Sequence, residues 1–125
     1  MKLFIDDIRN APDDKWNVAR TVTEAIRCIY YYRDQLEEIS IDHDISHQIG
    51  MGELSRPYPC GETFSAVCYY MAVVYDQSYS PKKPKVVLHT SNLIGAENMQ
   101  LILSRAGIEC SIEMRGAANR LEMQV

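Results

Sequence analysis

Lys2-Leu3-Phe4-Ile5-Asp6-Asp7 is a short apolar run that stops on two acids. The same form returns at Glu38-Ile39-Ser40-Ile41, which meets Asp42-His43-Asp44, and at Pro84-Lys85-Val86-Val87-Leu88, which meets His89-Thr90-Ser91-Asn92. Runs of this length with few polar interruptions fit strands covered on both faces, as in a parallel sheet. Two further strands are expected, over 16–20 and 108–113. All strand C-termini of a parallel sheet lie on one edge, and ligands bind there where the strand order reverses. With strand order 2-1-3-4-5, the three polar ends converge in one crevice.

Helices are expected between the strands. Thr21-Val22-Thr23-Glu24 carries the capping-box pattern, and Val22, Ala25, Ile26 and Ile29 follow as one apolar stripe. Tyr30, Tyr31 and Tyr32 are expected to pack at the rim of that helix. A second helix is expected over 61–76, with Phe64, Val67, Cys68, Met71, Val74 and Tyr75 on one face. A third is expected over 95–106, with Gly107 as its left-handed stop, and a short last one over 115–123. Alternating strands and helices predict an α/β layered domain with a mostly parallel five-stranded sheet. Residues 8–15 hold Asn10, Pro12, Asp13 and Asp14 and read as a loop. Residues 45–60 carry Gly50, Gly52, Pro57 and Pro59 and read as a long connection, a length typical of lids and binding loops.

The 125 residues make one domain, 1–125, with an extended loop at 45–60. A hydrophobic fraction of 46% with 24% charged residues excludes a disordered or fibrous chain. Seventeen acids against 13 bases give a net charge of −4, which argues against gripping nucleic acid non-specifically by its phosphates. No apolar run approaches the roughly 18 residues of a membrane span. Asp6 and Asp7 cut the first apolar run short of a secretory signal, so a cytoplasmic location is expected. The four cysteines, Cys28, Cys60, Cys68 and Cys110, form no CxxC pair and read as structural rather than metal-binding or redox residues, with Cys28, Cys68 and Cys110 in apolar periodic segments as small core residues.

Two kinds of chemistry suit the converging ends. Crowded carboxylates repel one another, and a divalent cation (Mg²⁺ or Mn²⁺) held by Asp6, Asp7 and Asp42 relieves this. His43 and His89 facing one substrate act as general acid and base, because imidazole titrates near neutrality. Structural roles compete at each position. Asp6 or Asp7 caps a turn, His43 pairs with its flanking aspartates, His89 is a satisfied core residue, His47 is solvated, and Ser91 or Asn92 caps the next helix.

The run Leu3-Phe4-Ile5-Asp6-Asp7-Ile8-Arg9, Val18-Ala19-Arg20-Thr21 leading into Glu24-Ala25-Ile26, Ile39-Ser40-Ile41-Asp42-His43-Asp44, and His89-Thr90-Ser91-Asn92 with Asn98-Met99 resembles the cyclic-phosphate-processing receiver-like domain family. The resemblance covers nearly the whole chain in order. It implies a receiver-like (flavodoxin-like) fold whose first helix is lost or degenerate. It also matches Asp6 and Asp7 to the acid pair that holds Mg²⁺ in receivers, and Asp42 to the phosphoacceptor. His89 stands at or beside the receiver hydroxyl position, and Glu113-Met114-Arg115 offers no lysine, which argues against phosphorelay signalling. The 45–60 loop is longer than is usual in the family, and Cys60-Gly61 stands where Thr-Gly is usual.

The function expected from these features is hydrolysis of a cyclic phosphate on a nucleotide or nucleotide-derived product. In that scheme His43 and His89 share proton transfer, and Asp42 or Asp44 orients an imidazole. Arg9 grips phosphate through its planar fork, and Thr90, Ser91 and Asn92 add contacts at a helix start. The alternative is a non-catalytic module that binds or sequesters a nucleotide or a partner protein. A third reading is a true phosphoacceptor at Asp42.

Overall fold

A computed structural model describes residues 1–43, 63–75 and 82–114. Asp44, His47, the 45–60 loop, Cys60 and the segment expected as a helix over 115–123 lie outside the described residues. Five strands, β1 (Lys2–Ile5), β2 (Trp16–Ala19), β3 (Glu38–Ile41), β4 (Lys85–Thr90) and β5 (Cys110–Met114), pair in parallel in the order β2-β1-β3-β4-β5. Three helices, α1 (Val22–Tyr32), α2 (Ser65–Tyr75) and α3 (Leu93–Arg105), complete the described elements. This is the parallel α/β arrangement expected from the alternation of elements, in the receiver-like, flavodoxin-like form that the family resemblance implies.

Local chemistry explains where the elements begin and end. Thr21 caps α1 by accepting from the Glu24 amide at 3.1 Å. Glu24 reaches back to the amide of Arg20, one residue before the cap, at 2.7 Å. Gly107 adopts φ 78° and stops α3, with the Gly107 and Ile108 amides donating to Ser104 and Leu103 carbonyls.

No helix separates β1 from β2, as the short 8–15 segment implied. Side chains take over the work a helix would do for the backbone there. Asp6 Oδ1 accepts from the amides of Ile8 (3.0 Å) and Arg9 (2.9 Å), and Asp13 Oδ1 accepts from Lys15 at 2.8 Å. The Arg20 guanidinium donates to the carbonyls of Arg9 (2.6 Å) and Asp6 (3.1 Å), clamping the loop from β2's end.

Side chains alternate between the two faces of each strand. Leu3, Ile5, Ile39, Ile41, Val86 and Leu88 join Ala25, Ile29, Val67, Cys68, Met71, Met99 and Leu103 of the helices in one buried cluster. Phe4, Ser40, Val87 and His89 occupy the other face by register. Cys68 is buried and Cys28 and Cys110 are half-buried against the core, all three as free thiols.

Two expectations need correction. The strand expected to end at Leu88 runs on to Thr90, because β5 continues to Met114 and pairs His89 with Glu113 and Thr90 with Met114. His89 is therefore inside the sheet, one step short of its edge. Tyr30 and Tyr31 do not pack at the rim of α1. Each is 68% exposed, and their rings meet edge to face at 5.3 Å.

Candidate functional site at the C-terminal edge of the sheet

β1 and β3 are neighbours in register, so their C-terminal acids are brought side by side. The ladder continues one step past both strands, with the Asp42 amide donating to the Ile5 carbonyl at 2.9 Å. Asp6, Asp7 and Asp42 each place a carboxylate oxygen within 4.8 Å of the others. All three are buried, at 0%, 7% and 8% exposure.

Their electrostatics differ. Burial pushes the Asp6 carboxyl up, but hydrogen bonds from His89 and from the Arg9 and Ile8 amides outweigh it and bring the carboxyl down to about 2. Asp42 is pushed above the ordinary value by burial and by the charge of Asp6, against an opposing hydrogen bond from the His43 amide at 2.7 Å. One carboxylate is thus firmly ionised and makes its neighbour's ionisation harder.

That donor set suits a hard divalent cation. It offers oxygens only, as Mg²⁺ and Mn²⁺ prefer, and positive charge would remove the conflict between Asp6 and Asp42. Asp6 Oδ1 already accepts two amides and Oδ2 accepts one N–H from His89, so the remaining lone pair of Oδ2 is what Asp6 can offer. Receiver domains use Mg²⁺ with an acidic cluster of this kind, and Asp6, Asp7 and Asp42 are the residues that would hold it.

The two described histidines are placed very differently. His89 is 0% exposed. Its Nε2 lies 2.9 Å from Asp6 Oδ2 and its Nδ1 lies 2.6 Å from Ser40 Oγ. An ionised carboxylate only accepts, so Nε2–H donates to Asp6; in the neutral ring the Ser40 hydroxyl donates to Nδ1. Phe4 stacks on the imidazole at 4.6 Å with the planes 7° apart. Both ring nitrogens are therefore used inside the sheet, the arrangement of the satisfied core residue that the sequence offers as the alternative to a group facing substrate.

His43 follows β3 and is half-buried. Its carbonyl accepts from the Phe64 amide at 2.9 Å, which ties it to the start of α2. Its Nδ1 lies 3.4 Å from Asn92 Nδ2, and its ring lies against Gly95 in the first turn of α3.

The expected contact residues divide in the same way. Arg9 is exposed, and its charge is felt at Asp42. Ser91 is exposed and Asn92 half-buried. Thr90 is 1% exposed, and its hydroxyl oxygen accepts from the Asn92 amide at 3.0 Å, turning the chain into α3. Asn92 caps that helix, with Oδ1 accepting from the Gly95 amide at 2.9 Å.

Four contributors were missed from the sequence: Phe4, Ser40, Arg20 and Gly95. Ser40 alone left a signal, as a polar residue within an otherwise apolar strand.

No curated protein and no solved structure matches the chain. Residues 1–105 match the cyclic-phosphate processing receiver domain. That match takes in all five carboxylate and imidazole side chains just described, from Asp6 to His89, and the chain belongs to the cyclic-phosphate processing receiver domain family.

Proposed function

We propose that the chain is a phosphodiesterase that opens a cyclic phosphate on a nucleotide or a nucleotide-derived product. The observation that carries this reading is one half-buried histidine, His43, which directly follows the clustered carboxylate Asp42 and donates its amide to it, at the C-terminal edge of a parallel sheet where ligands bind. Water's oxygen bonds to phosphorus, the bond from phosphorus to one sugar oxygen breaks, and a phosphomonoester results. His43 accepts the proton that the attacking water gives up, the departing sugar oxygen takes one from solvent, and His43 then returns its own to solvent, so protons balance over the turnover. Asp42 or Asp44, the sequence neighbours of His43, steadies the imidazolium that forms.

The other residues divide by burial. Arg9, exposed at the edge, pairs with phosphate oxygens through its planar fork. Ser91 and Asn92, at the start of α3, add hydrogen bonds to the anion, with Thr90 shaping the turn that carries them. His89 acts from inside the sheet by holding Asp6 in place and ionised. Asp6, Asp7 and Asp42 would hold a divalent cation, which would supply positive charge to offset that of the phosphate.

The test is a panel of cyclic phosphates: mononucleotide 2′,3′-cyclic phosphates, an ADP-ribose cyclic phosphate and cyclic dinucleotides. Products are resolved by mass, with and without chelator. Conversion of one member to its ring-opened monoester is expected. A non-catalytic binding module is the second reading, favoured by the internal use of both His89 nitrogens, which leaves one histidine at the edge among the described residues. Thermal stabilisation by a panel member that is recovered unchanged would establish that reading instead.

A further inference from the structure

The His43 ring meets two residues at the start of α3, Asn92 and Gly95. As a helix cap Asn92 needs only an oxygen, and serine, threonine or aspartate would serve equally. Its amide orientation is fixed by that duty. The Gly95 N–H can only donate, so the atom facing it at 2.9 Å is Oδ1. The Asn92 Nδ2 group is then the one turned to His43 Nδ1, at 3.4 Å. An amide NH₂ only donates, so it meets the ring's lone pair, and the proton of the neutral imidazole sits on Nε2.

Gly95 is the second. It lies inside a helix, where glycine is the least suited residue apart from proline. Its φ is not positive, so backbone freedom does not call for it. A Cβ there would stand 2.6 Å from Cγ, Cδ2 and Cε1 of His43 alike. Three equal distances to three ring atoms place the added carbon over the face of the imidazole. The missing side chain is the space that the ring occupies.

We propose that Asn92 and Gly95 are positioning residues for His43: Gly95 provides the seat for the ring, and Asn92 locks it as the Nε2–H tautomer with Nδ1 turned to the helix. Coming from one turn of one helix, the two contacts set both where the ring lies and which nitrogen carries its proton. The consequence for catalysis rests on the phosphodiesterase reading, since the lock decides which nitrogen works on the substrate. The geometry itself does not depend on it.

The test is a long-range ¹H–¹⁵N correlation spectrum of the imidazoles of the full chain, recorded without substrate at about pH 9. His43 is expected as the Nε2–H tautomer. Asn92→Asp keeps the cap oxygen but turns an acceptor to Nδ1, so His43 is expected to switch to Nδ1–H with no change in melting temperature. Asn92→Ser keeps the cap and removes the donor, so a mixture of tautomers is expected.

Gly95→Ala is expected to displace the His43 resonances and lower the melting temperature. That loss is expected to vanish when His43→Ala is added, because the seat is then empty. An Nδ1–H tautomer in the parent chain, or no switch in Asn92→Asp, would overturn the lock. An equal melting loss with and without His43 would overturn the seat. If both hold and no cyclic phosphate is opened, the positioning stands and the phosphodiesterase reading fails.

Discussion

The interior of the sheet and its C-terminal edge use the same side chain in opposite ways. His89, within β4, is sealed between Phe4, Ser40 and Asp6, with both nitrogens engaged at 2.6 and 2.9 Å. His43, just past β3, is half-buried and leans on the first turn of α3. The difference is one of register. β5 extends far enough to pair with His89 and Thr90, so β4 carries its histidine inside, whereas β3 ends at Ile41 and leaves His43 on the turn. An interior histidine with two partners fixes a carboxylate; an edge histidine on a glycine seat is suited to handling a proton. Identical residue types at matching strand ends therefore do not imply matching roles.

The largest expected effect separates the two rings. His43→Ala should lower turnover of a cyclic phosphate by about 10²–10⁴-fold, the usual contribution of a general acid or base, while thermal unfolding stays close to that of the parent. His89→Ala should do the reverse in kind. It strips the buried Asp6 carboxylate of a charge-assisted donor and opens a hole beside Phe4, at a cost of about 3 kcal/mol in denaturant unfolding. A large stability loss from His43→Ala with none from His89→Ala would invert the comparison.

Acid provides the next test. The folded Asp6 carboxyl lies at about 2, below its unfolded value of about 3.9. A depressed carboxyl stabilises the fold above its unfolded value and ceases to do so as pH falls through the folded one. About 2 kcal/mol should therefore be present above pH ~4 and fade toward pH ~2. This fading should be much reduced in His89→Ala, whose Asp6 has lost a main source of the depression. Asp42 has the opposite sign: its raised carboxyl means that ionisation works against the fold at neutral pH. Asp42→Asn should stabilise the chain without added metal by about 0.5–2 kcal/mol, the usual yield of relieving a local charge clash, and should weaken Mg²⁺ binding by calorimetry.

Much of this was legible in the sequence, for identifiable reasons. Apolar runs ending in acids marked β1 and β3, the 3.6-residue stripes marked the helices, and the short stretch before Trp16 agreed with the lost first helix that the family resemblance implies. The closeness of Asp6, Asp7 and Asp42 followed once the strand order was right. What escaped was set by non-local geometry. Whether His89 lay inside or at the edge depended on how far β5 ran, which no local pattern states. Ser40 and Phe4 became His89's partners only through the register of β1, β3 and β4. Gly95 looked like an ordinary helix residue until His43, 52 positions earlier in the numbering, was seen across its Cα. Arg20's clamp on the 6–9 turn likewise needed β2 to lie beside β1.

The central claim is that this edge opens a cyclic phosphate and that His43 handles the proton. The most direct measurement is the mass of the nucleotide product from parallel incubations of the parent chain and His43→Ala with the cyclic-phosphate panel. The parent is expected to add one water to a panel member, yielding a phosphomonoester, and His43→Ala to leave nearly all of it cyclic. Equal conversion by the two chains, or a panel recovered unchanged from the parent, would contradict the claim.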